Sequence, residues 1–104
     1  MAKKTGISLR LRDKLYRMSR AHNLKNRGDI DSPKVSNRRI RIAARLEEGS
    51  EELLEVVIHE CLHGLYWDMG EEAIQAAGQD LARLLTRLGA RISLKDVPTE
   101  GEQD

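Results

Sequence analysis

The stretch Val56-Val57-Ile58-His59-Glu60-Cys61-Leu62-His63-Gly64-Leu65 constrains this chain more than any other, because it sets three chemically capable side chains inside an apolar run of helical character. On a helix, residues four apart stack on one face, so His59 and His63 present two imidazoles to one divalent ion, while Glu60 reaches water beside that ion. Ser50 is a good N-cap, and Glu51, Glu52 and Glu55 suit the positive end of a helix, which predicts a helix from about 51 to 66. Leu54, Val57, Ile58, Cys61 and Leu65 form its expected packed stripe, with His59 and His63 projecting away on the side of Glu52 and Val56. Cys61, on that packed stripe, reads as a small buried hydrophobe rather than a ligand or nucleophile.

A second helical period follows closely. Gly64 to Gly70 turns the chain, with Tyr66 and Trp67 expected over the bend. Ile74, Ala77, Leu81, Leu84, Leu85 and Leu88 then recur at helical spacing as an expected buried stripe, and Gly89 reads as a C-terminal cap. So short a connection predicts an antiparallel helix hairpin. Beyond the brief Ile92-Ser93-Leu94 segment, residues 96–104 read as a flexible polar tail with nothing to bury, leaving 1–95 as a single minimal domain.

The N-terminal half carries period-two patterns instead. Residues 1–6 form a polar arm; Ile7 to Leu11 alternates, and Leu15 to Ser19 continues in a strand-compatible manner, with a short helix across 11–20 as the alternative. Asn23 to Pro33 is dense in Asn, Asp, Gly and Pro and predicts a loop. Arg38 to Ala43 alternates again, as an edge strand does. The expected fold is α+β: a small antiparallel sheet of two or three strands packed on the helix hairpin.

With 104 residues, 3% aromatics and no Phe, one modest core must be built from Leu, Ile, Val and Ala. A lone cysteine excludes an internal disulfide framework, and the start of the chain lacks an apolar run of signal-peptide length, so a cytoplasmic protein is expected. No apolar segment approaches membrane-helix length. The net charge of +1 conceals a split: residues 1–45 hold 14 Lys or Arg against 3 Asp, and residues 46–104 hold 4 against 14 acids. The simplest consequence is that the halves pack together and neutralise each other; a nucleic-acid surface is the rival.

Two histidines need a further protein ligand to hold a catalytic metal with an open position. His63 lies near the end of the first helix, and an acid in the first turn of the second returns to its level. Glu71, at the edge of the second helix's stripe, is preferred over Glu72, which points to the solvent side with Arg83 and Arg87; Asp68 in the turn is a further oxygen donor.

The His59-Glu60-Cys61-Leu62-His63 motif, followed by Glu71-Glu72-Ala73-Ile74-Gln75-Ala76-Ala77-Gly78, resembles the gluzincin metallopeptidases, especially minimal forms and small bacterial and phage proteins with the same motif. The resemblance covers residues 38–88 or so. It implies a zincin-like fold, one zinc per chain held by His59, His63 and Glu71, and Glu60 as the general base for a zinc-activated water attacking a peptide or protein substrate. Where larger gluzincins often carry Asp or Asn four residues past the ligand glutamate, this chain has Gln75, whose amide oxygen can still accept a histidine N–H. Tyr66, His22 or an arginine of the basic half are the candidate donors to a developing oxyanion. His22 reads otherwise as an exposed loop histidine. The rivals to an enzyme are a zinc-stabilised protein-binding module and, third, nucleic-acid binding through the basic half.

Overall fold

A computed structural model describes residues 6–100, folded as strands β1 (Ile7–Leu11), β2 (Lys14–Ala21), β3 (Gly28–Ile30) and β4 (Arg39–Ala43) followed by helices α1 (Glu51–Leu65) and α2 (Glu71–Arg87). The class is α+β. The sheet departs from the expected two or three antiparallel strands: it has four, in the order β1-β2-β4-β3, and it is mixed. β1 and β2 pair antiparallel, as do β3 and β4, but β2 and β4 run parallel, with Met18 opposite Ile40 and Ala21 opposite Ala43. The parallel pair is possible because residues 22–38 form a connection long enough to bring the chain back in the same direction.

Local chemistry explains most of these elements. β1 and β2 are joined through Arg12 and Asp13, both at positive φ (50° and 66°), the two-residue turn whose twist matches an antiparallel hairpin. Period-two alternation then sends Leu11, Tyr16, Met18, Ile40 and Ile42 to one face as the core, with Leu53 and Val56 of α1 packed on them. The stretch 23–33 is not all loop, because Gly28–Ile30 pairs with β4 as the edge strand.

The two helices form a hairpin above the sheet in three layers: sheet, α1, α2. Ser50 caps α1 as expected, its hydroxyl oxygen accepting the Leu53 N–H at 3.0 Å, and Arg12 donates to the Leu65 carbonyl at the other end at 3.1 Å. Helix phases differ from expectation. On α1 the buried positions are Leu53, Leu54, Val56, Glu60 and Gly64, so Val56 and Glu60 face the sheet rather than open solvent. On α2 they are Ile74, Gly78 and Ala82, while Leu81, Leu84 and Leu88 are exposed. The face of α2 turned to α1 is thus Ile74, Gly78 and Ala82, with Gly78 over His59, and not the leucine stripe.

The expected free tail is also corrected. Val97 and Thr99 are buried, the Arg20 amide donates to the Pro98 carbonyl, and the Glu100 amide donates to the Arg20 carbonyl, so this segment extends the sheet beside β2. Residues 1–5 of the expected arm and 101–104 of the expected tail lie outside the described residues. No helix among the described residues is long and apolar enough to cross a membrane.

Candidate metal centre

His59 and His63 stand on the flank of α1 between the sheet and α2, and the first turn of α2 brings Glu71 across to them. The His59 Nε2 to His63 Nε2 distance is 3.2 Å, and the two carboxylate oxygens of Glu71 lie 2.9 Å from His59 Nε2 and 2.9 Å from His63 Nε2. Donors bound to one zinc at roughly 2.0–2.1 Å in a tetrahedron are about 3.3 Å apart, close to these separations. Proton counting points the same way. If both Nε2 atoms carry protons toward Glu71, two N–H groups crowd each other at 3.2 Å; if one does, the lone pair of the other ring faces a carboxylate oxygen at 2.9 Å; if neither does, lone pairs from all three residues converge. A cation between them satisfies every donor, so the residues present fit a metal ion. Glu72 and Asp68 are exposed and stand outside this cluster, and Gln75 is exposed as well.

Glu60 is the buried acid beside the cluster, only 8% exposed. Burial pushes its carboxyl pKa up to about 7, with the negative charges of Asp29 and Glu71 adding to the effect. Room for it is made by Gly28: a Cβ there would sit 3.1 Å from Glu60 Cγ and 3.0 Å from Val56 Cγ1. Asp29 is fixed in turn by Arg41, whose Nε donates to it at 2.9 Å. Cys61 is partly buried against the core, and burial followed by the charge of Glu60 pushes its thiol up to about 11, so it stays protonated and unreactive.

His59, Glu60, His63 and Glu71 line an open cleft of about 710 Å³ whose far wall comes from the stretch read as loop: Lys25, Asn26, Arg27, Gly28, Asp29 and Ile30. The bonds flanking β3 fall on Arg27, whose carbonyl accepts from the Ala43 amide at 2.8 Å, and Asp31, whose amide donates to the Arg39 carbonyl at 3.0 Å. Alternation therefore turns the peptide groups of Gly28 and Ile30 to the free edge of the sheet, along the cleft. Of the candidate oxyanion donors, Arg27 and Arg45 reach the cleft, whereas Tyr66 and His22 do not line it and Trp67 does. Gly28, Asp29 and Trp67 were missed as site residues; the one signal for the first two was a Gly-Asp-Ile step inside a polar stretch.

Much of the basic half is tied up internally. Arg27 pairs with Glu52 and Glu55, and Arg39 and Arg41 pair with Glu100, which joins the oppositely charged halves; Arg39 and Arg41 also pair with Asp31 and Asp29 of their own half. Arg20, Arg38 and Arg45 donate to backbone carbonyls. No family model, curated protein or solved structure matches the chain.

Proposed function

We propose that this chain is a minimal zinc metallopeptidase, gluzincin-like at its site, in which His59, His63 and Glu71 hold one zinc ion and Glu60 is the general base. The observation that carries the reading is the convergence of three donor residues, 2.9–3.2 Å apart, beside a buried carboxyl group at the free edge of a sheet. Zinc bound there would supply Lewis acidity, stabilising charge on a carbonyl oxygen and acidifying water.

The chain's own residues do the rest. Glu60 is the buried carboxyl beside the three donors, and the positive charge of a bound zinc would offset the burial that raises its pKa, favouring the carboxylate that accepts a proton. It takes one proton from the attacking water and delivers it to the amide nitrogen as the C–N bond breaks. The open peptide groups of Gly28 and Ile30 receive an extended substrate backbone as an added strand, which favours a peptide over a small molecule. Arg45 lies on the same cleft, while the charge of Arg27 is offset by Glu52 and Glu55.

Zinc analysis and a peptide-library digest test the proposal together. The purified chain should hold close to one zinc, lost in His59→Ala and His63→Ala. Glu60→Gln should retain zinc while cleavage falls roughly 10²- to 10⁴-fold, the usual loss with a general base. Zinc-loaded protein that cleaves nothing beyond its Glu60→Gln variant would favour a zinc-stabilised protein-binding module. Nucleic-acid binding would show instead as association weakening steeply with salt.

A further inference from the structure

α2 has two apolar edges, and only one is covered. Ile74, Gly78 and Ala82 are buried against α1, and α2 reaches no strand of the sheet. On the neighbouring edge Ala77, Leu81, Leu84 and Leu88 recur at alternating spacings of four and three residues, the rhythm of a coiled-coil seam. These leucines are 41%, 53% and 74% exposed. A row of large apolar side chains this open is what contact surfaces look like.

We propose that this seam is a homodimer interface, with α2 packed antiparallel against α2 of a second copy about a two-fold axis between Leu81 and Leu84. Charge selects both the occupant and the direction. α2 is acidic in its first part, with Glu71, Glu72 and Asp80, and basic in its last, with Arg83 and Arg87. Asp80, which meets Arg83 of its own helix at 3.3 Å on the exposed surface, lies seven residues before Arg87 on the outer flank of the seam, so antiparallel pairing brings Arg87 of each copy close to Asp80 of the other, twice over. Parallel pairing would set like charges together. The same two-fold puts Ala77 against Leu88 and Leu81 against Leu84, a small residue facing a large one at the ends and leucines meeting at the centre. Antiparallel helix dipoles add to this preference. The seam is short, so the dimer should have a Kd on the order of micromolar.

Sedimentation velocity on the full chain tests the proposal. The expected result is a reversible monomer–dimer equilibrium, weakened at least about tenfold by Leu84→Asp with unchanged circular dichroism. Asp80→Arg should weaken it too, by setting arginines opposite each other, and Asp80→Arg combined with Arg87→Asp should restore it. Should Leu84→Asp fold poorly, Leu88→Asp, near the helix end and the most exposed of the three, gives the same readout. A chain that stays monomeric at about 100 µM, far above a micromolar Kd, would overturn the proposal and leave the seam to a different protein. A dimer indifferent to the leucine variants would overturn it equally, and a double swap that fails to restore association would overturn the antiparallel arrangement.

Discussion

α1 and α2 are neighbours of similar length, yet they hold their functional residues in different ways. α1 lies between the sheet and α2, so Leu53, Val56 and Gly64 fix one side against the core while the other meets a second helix. Its histidines stand on a helix that has little freedom to turn, and its one acid on the sheet side, Glu60, is stripped of water. Among the strands and helices α2 touches α1 alone, through Ile74, Gly78 and Ala82, and Glu71 at its first turn remains largely exposed. A site assembled this way has two rigid donors and one delivered by a more lightly anchored element, and metal binding itself becomes a tie between the helices.

The strongest way to break this comparison is at the delivered ligand. Glu71→Ala should weaken zinc binding roughly 10²- to 10³-fold, about one ligand's share of the 10–16 kcal/mol typical of structural zinc sites, whereas Glu72→Ala should leave it nearly unchanged. Isothermal titration of both variants decides it. A larger loss in Glu72→Ala would mean that α2 is rotated in solution from the phase described above.

Glu60 sharpens the other half of the comparison, because its desolvation is a property of where α1 sits. Below about pH 4.5 the carboxyl is neutral folded and unfolded alike. Between there and about 7 the unfolded chain ionises and the folded one does not, so stability falls as pH rises, and the loss is complete above about 7. The shift corresponds to an upper bound of ~3 kcal/mol. Metal-free Glu60→Gln should therefore match wild type in thermal melts near pH 4 and exceed it increasingly toward about pH 8. An advantage independent of pH would show that the carboxylate is solvated in the folded protein.

How much of this was legible in the sequence follows from what each element depends on. The cap at Ser50, the span of α1 and the choice of Glu71 rest on local spacing, and local spacing is written in the chain. Glu71 stands beside the histidines although the leucine stripe is not the buried one, because it lies inward on either phase of α2. The phase itself was not legible: periodicity reports which residues are apolar, and the contact of Gly78 with His59 is a matter of how closely two backbones approach. β3 escaped for a related reason. Three residues among Asn, Asp and Gly carry no period, and only pairing with β4 makes them a strand. Val97 likewise stands as a single apolar residue in a polar stretch, and its burial depends on the neighbouring bonds to Arg20.

Two glycines make the contrast between the helices smallest in energy and clearest in sign. A glycine inside a helix is worth about 1 kcal/mol less than alanine, so both Gly64→Ala in α1 and Gly78→Ala in α2 start with that gain. In α1 it is cancelled. A Cβ at Gly64 would lie 2.5 Å from Leu11 Cδ1 and 2.9 Å from Ile30 Cδ1, and moving two packed core side chains costs roughly 1–3 kcal/mol. In α2 the nearest atoms to a Cβ at Gly78 are His59 Cβ at 3.6 Å and His59 Cα at 3.7 Å, an ordinary contact distance. Gly64→Ala should therefore lower the melting temperature or leave it level, and Gly78→Ala should raise it by roughly 4–8 °C with zinc affinity unchanged. If Gly78→Ala instead weakens zinc binding, the spacing of the helices at His59 is already at its limit, and α2 is as tightly constrained there as α1.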